Sequence, residues 1–154
     1  MSEPHSGSPA DPAGPPRFYI PQPNGRVRPT SPHLQIWRWH VTMLGSILHR
    51  ITGSGLAGGA VLVALWLGAL AFGPEAYETF VGLAGSPLGL IVWFALSLAG
   101  FYHLASGVRH LIWDTGAGLS PKGASTLTTI TLVFAVVATL AFWGWLFASG
   151  KVTL

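Results

Sequence analysis

Ile51–Phe72 reads ITGSGLAGGAVLVALWLGALAF, a run without one charged side chain. Crossing the hydrocarbon core of a bilayer takes about 20 apolar helical residues. In lipid only helices and closed barrels satisfy their own backbone polar groups. The run does not alternate apolar and polar residues, so a helix is the expected form. Extended back to Leu44, it is the first of three such segments, at about 44–72, 88–113 and 127–149. The fold class expected is an all-α membrane protein with three transmembrane helices.

Composition agrees. Of the 154 residues, 8% are charged and 50% hydrophobic, whereas soluble domains are about a quarter charged. Seven Trp and twenty Gly suit bilayer segments, where Trp gathers at interfaces and Gly is frequent. The net charge of +3 comes mainly from Arg17, Arg26, Arg28, Arg38 and Arg50. That excess is positional and does not suggest a nucleic-acid partner. With no Cys, disulfides and thiolate metal sites are excluded. The six His and two Met are the soft ligands left.

Residues 1–27 are rich in Pro, Gly and Ser and bury too little apolar surface to offset ordering entropy. They are expected to form a disordered or partner-draped tail. Their start, MSEPHSGSPADPAGPP, has two acids and no apolar core, so neither a secretory signal nor a mitochondrial transit peptide is expected. Residues 28–43 mix Ile36, Trp37 and Trp39 with Arg38 and His40, as an interfacial segment at headgroup level would. Residues 44–154 then form the three-helix domain.

The loops give an orientation. The connector 73–87 carries Glu75 and Glu78 and no Lys or Arg, while Lys122 lies in the second loop with Arg109 just before it. The positive-inside rule puts the N-terminus and second loop in the cytoplasm and the C-terminus outside. Lys151 is a mild exception. Gly55 and Gly59, continued by Ala60, Ala64 and Gly68, form a small-residue row that could admit a close helix, although Gly is common in membrane helices anyway.

Ionisable residues inside membrane segments are expensive and tend to face a bundle interior. Here they gather at one end of the first two segments, and the third has none. In FYHLASGVRHLIWDTG, Phe101–Gly116, the residues His103, Gly107, His110 and Asp114 recur at +4, +7 and +11, one stripe at about 100° per residue. Gly100 and Gly107 flank His103 by a turn and leave a flat slot beside its imidazole. Such a slot suits a porphyrin, because bundles build cofactor sites from facing helices. His103 lies ten residues from Trp113, about 15 Å of helix, and His110 is about 10 Å nearer the surface. By spacing alone, either histidine could instead bond a neighbouring helix. Asp114 opposes the helix dipole and would pair with Arg109 or Arg50, or sit solvated in the loop. In SILHRITG, Ser46–Gly53, Ser46, His49 and Arg50 share one face. A hydroxyl beside a guanidinium suits an oxygen that gains negative charge, as a quinone oxygen does on reduction. The alternative for Arg50 is snorkelling to phosphate headgroups.

Two motifs taken together resemble a known family. The first is RPTSPHLQIWRWHVTMLGSILHRIT, with Arg28-Pro29, Leu34, Val41, Ser46, His49-Arg50 and Thr52 in place. The second is HLASGVRHLIWDTG, with His103, Gly107, Arg109-His110, Trp113-Asp114 and Gly116. They are similar to the paired signatures of the cytochrome b membrane-anchor subunit of succinate dehydrogenase, respiratory complex II, over about residues 28–116. The remaining parts match only in length and apolarity.

The resemblance implies a bacterial inner-membrane subunit of a succinate:quinone oxidoreductase, with no flavin or succinate site of its own. Its partners would be a second anchor subunit completing the bundle, an iron–sulfur subunit, a flavoprotein subunit and membrane lipid. It implies haem b with His103 as one axial ligand, the other coming from the second anchor. Ser46 and Arg50 would line the ubiquinone site. His49, His110, Arg109 and Asp114 would contact or support the haem propionates. No residue is expected to be catalytic. Competing readings are a stand-alone haem b carrier, a proton- or ion-conducting subunit, and a purely structural anchor. Conduction would need polar residues across the whole bilayer, and here they stop at about half depth.

Overall fold

A computed structural model of the protein describes residues 19–21, 23–24, 27–29 and 37–152. They fall into two compact units, Met1–Trp39 and His40–Leu154. In the first, β1 (Tyr19–Pro21) pairs antiparallel with β2 (Val27–Pro29), Ile20 opposite Arg28. Most of the stretch read as a disordered tail, and residues 30–36 of the interfacial segment, lie outside the described residues. Trp37 and Trp39 are exposed and meet edge to face, centroids 5.1 Å apart.

The second unit is all helix: α1 (Val41–Phe72), α2 (Pro74–Ala84), α3 (Pro87–Asp114) and α4 (Pro121–Ala148). Three of them, α1, α3 and α4, are long and apolar enough to cross a membrane. At 28 residues, α3 and α4 are each about 42 Å long, more than the roughly 30 Å hydrocarbon thickness. Their starts are encoded alike. Ser86 and Ser120 accept hydrogen bonds from Gly89 N (3.2 Å) and Gly123 N (3.1 Å), and a Pro follows at the first helical position, where its missing N–H is not needed.

The connector expected to be loop at 73–87 contains α2. Pro74 opens it and Glu75 sits in its first turn, where a carboxylate favours the positive end of the helix dipole. The corner between α1 and α2 is Gly73, with φ +111° and ψ −177°. This is a backbone conformation that residues with a Cβ rarely adopt. The third span begins at Pro121, six residues before the apolar run at 127.

The interior is small and lies mainly between α3 and α4. Thr128, Thr131, Ala135, Thr139 and Trp143 form a buried stripe on α4, facing Tyr102, Ser106 and Arg109 of α3. Small side chains there let the backbones approach closely. The threonine hydroxyls donate to their own helix, Thr128 to Ala124 O (2.8 Å), Thr131 to Leu127 O (2.9 Å) and Thr139 to Ala135 O (2.7 Å), so burial leaves none of these hydroxyl donors bare, whereas Trp143 Nε1 is buried without a partner among the described residues. On α1, Gly45 is the buried residue, and a Cβ there would stand 2.6 Å from Thr128 Cγ2. Gly59 lies against Leu96 of α3, whereas Gly55 and Gly68 meet nothing within 4 Å. The small-residue row therefore does not act as one contact face within the chain. Large apolar side chains cover the outside, among them Phe72, Ile91, Leu111 and Val137, as a lipid-facing or partner-facing surface requires.

Candidate functional site

The polar residues of α1 and α3 converge where the first turns of α1 pass the second half of α3. His49 lies parallel over His103, with ring centroids 4.1 Å apart and an interplanar angle of 9°. His110 meets the edge of His49 at 5.3 Å, and Trp113 meets His110 at 5.2 Å. Four rings from two helices thus form one continuous row. His103 and His49 are half-buried and His110 is exposed.

The His103 ring is held from α1. Thr52 Oγ1 lies 3.3 Å from His103 Nδ1. Gly53 faces the same ring so closely that a Cβ on it would stand 3.1 Å from His103 Cε1. The slot expected at Gly100 and Gly107 is open, because a Cβ at either would meet nothing within 4 Å.

Ser46 and Arg50 are exposed, one turn apart on α1. The Arg50 Nε donates back to Ser46 O at 3.4 Å, so the two lie on one face with the outer guanidinium nitrogens free to turn outward. Asp114 is exposed at the last position of α3. Its suggested pairing is not formed: Arg50 reaches back to Ser46 O, and Arg109 bonds elsewhere.

Arg109 is 3% exposed. Its Nη1 donates to Thr128 Oγ1 (2.8 Å) and its Nη2 to Ser106 Oγ (2.9 Å). The Cζ lies 4.8 Å from the Trp113 ring centroid. The guanidinium therefore joins α3 to α4 and backs the ring row through Trp113. Beside it, Tyr102 donates its hydroxyl to Gly45 O at 2.6 Å, fixing the start of α1 against α3. Sequence reasoning gave no role to Thr52, Tyr102, Ser106 or Thr128. The usable signal was a hydroxyl in an apolar membrane run, which needs a partner there.

The pattern of the succinate dehydrogenase/fumarate reductase transmembrane subunit family matches residues 24–142. The chain belongs to this family. The match runs well beyond the two motifs and includes most of α4. Among similar proteins, the succinate dehydrogenase cytochrome b556 subunit of Paracoccus denitrificans is 38% identical over 119 residues, covering 75% of this chain and 92% of that protein. The cytochrome b556 subunit of Rickettsia felis is 37% identical over 116 residues, covering 75% and 90%. The mitochondrial cytochrome b560 subunit of Sus scrofa is 35% identical over 121 residues, covering 75% and 70%. As a member of this transmembrane-subunit family, the chain is a membrane-anchor subunit of a respiratory oxidoreductase complex.

Proposed function

We propose that this chain helps form a haem b site and a ubiquinone-reduction site of succinate:ubiquinone oxidoreductase. The observation that carries the reading is the stacked pair His49–His103, braced by Thr52 and flanked by open space at Gly100 and Gly107. Among the described residues no three His, Cys, Asp or Glu side chains gather as metal ligands. A single imidazole with open space at Gly100 and Gly107 on its own helix suits a macrocycle that brings four nitrogens of its own. In this reading His103 would hold the haem iron together with a residue of a second anchor subunit. His49 and His110, in ring contact with one another beside His103, would contact the haem propionates. Arg109 and Asp114 are supporting residues, Arg109 by holding Trp113 and α4. Bound there, haem supplies a one-electron store whose potential depends on its axial ligands and burial.

Ser46 and Arg50 make up this chain's part of the quinone site. The Ser46 hydroxyl donates to a carbonyl oxygen of the ring. The Arg50 guanidinium stabilises the negative charge that grows on that oxygen, most strongly where water is excluded. Conversion to quinol takes two electrons, from the iron–sulfur subunit, and two protons. Both residues lie within the first three turns of α1, within reach of water on the cytoplasmic side in the N-inside orientation of a bacterial inner membrane.

The test is a His103→Leu variant of the assembled complex. Reduced-minus-oxidised spectra of membranes should lose the b-type bands. Bands unchanged in position and amplitude would remove His103 as the ligand.

A further inference from the structure

We propose that Thr52 is a positioning residue that fixes His103 in the tautomer with a bare Nε2, with Gly53 giving the ring room to take that position. The inference rests on the reading of His103 as an iron ligand and adds what sets that ligand's orientation and electron-donating strength.

The argument is one of counting protons. A threonine hydroxyl has one proton and two lone pairs. Thr52 Oγ1 lies 2.8 Å from Leu48 O and 3.1 Å from His49 O, both acceptors, so its proton is committed to the backbone of α1. What it offers His103 Nδ1 at 3.3 Å is a lone pair. The contact is attractive only if Nδ1 carries the proton. A neutral imidazole protonated at Nδ1 has an unprotonated Nε2, the form that binds a metal. Two further contacts stop the ring from turning away. His49 lies flat on one face at 4.1 Å, and Gly53 faces Cε1 where any side chain would press on the ring. The sequence His49-Arg50-Ile51-Thr52-Gly53 thus grips the imidazole of the other helix from its face, its Nδ1 and its Cε1.

A donated Nδ1–H makes the imidazole a stronger electron donor, as the outer partners of metal-bound histidines do. A stronger donor favours ferric over ferrous iron. Removing the acceptor therefore raises the midpoint potential of the haem.

The test uses the assembled complex in membranes carrying Thr52→Val, which keeps the shape and loses the acceptor, with Thr52→Ala and Thr52→Ser beside it. Haem is counted per flavin and its midpoint potential measured by redox titration. The Val and Ala variants should shift the ferric/ferrous equilibrium toward ferrous on the order of tenfold, about 59 mV for one electron, while the Ser variant keeps the parent potential. Haem lost from Val and Ala but retained in Ser supports the same role. An unchanged potential in Val and Ala with haem bound, or haem lost from Ser as well, overturns it. Failure of the underlying ligand reading shows separately, as b-type bands that survive in His103→Leu.

Discussion

The seam between α3 and α4 and the seam between α1 and α3 both contain polar groups at membrane depth, and they treat them in opposite ways. Between α3 and α4 most of the groups are satisfied within the chain, Arg109 Nε and Trp143 Nε1 being buried atoms left without a hydrogen-bond partner among the described residues. Arg109, Ser106 and Thr128 bond one another, and the other threonines bond their own backbone. Between α1 and α3 the groups are presented. His49 and His103 are half-buried, while His110, Ser46 and Arg50 are exposed. Polarity that closes on itself holds helices together. Polarity left open, on a ring row braced from behind, is available to something outside the chain.

The two seams should therefore respond to different assays. The largest effect is expected on the open side. Ser46→Ala and Arg50→Gln should each lower quinone reduction by about a hundredfold or more, as loss of a fixed donor does, while succinate oxidation with an artificial dye continues. Equal loss of both activities would argue against a local quinone role. On the closed side, Arg109→Met removes two charge-assisted hydrogen bonds and should cost about 2–3 kcal/mol. It should appear as faster thermal inactivation of the detergent-solubilised complex by both assays together. A selective loss of quinone reduction would move Arg109 to the open class. The smallest effect belongs to Thr139→Val. Its hydroxyl bonds only its own helix, so a change within about 0.6 kcal/mol is expected, and a large one would show that the seam depends on that group.

The three spans were legible because an uninterrupted apolar run of more than about 20 residues is at home only in lipid. The helix starts were less so. Ser120-Pro121 is a capping signal as clear as Ser86-Pro87, yet the apolar run beginning at 127 masked it. The acids of α2 made it look like loop, although Pro74 and Glu75 are what a helix start favours. At the site, the stripe His103, Gly107, His110 and Asp114 could be read from spacing alone. So could the angle of Arg109: six residues at about 100° put it roughly 120° off that stripe, a direction that packing then turns toward α4. Which hydroxyl faces Arg109 or His103 was beyond the sequence, because that depends on how the helices meet. Thr52 and Thr128 became visible only once α1 and α4 were placed against α3.

The turn from α3 to α4 spans only residues 115–120 and contains two left-handed glycines, Gly116 (φ +82°) and Gly118 (φ +72°). So short a reversal has a consequence for biogenesis. An arginine inside a lone apolar helix is costly to insert, and α3 by itself would carry Arg109, five residues from its end, with only Ser106 for company. The tight turn brings Thr128 within hydrogen-bond reach of it, so the pair of helices carries into lipid a guanidinium already partnered on both outer nitrogens, at less expense than α3 alone.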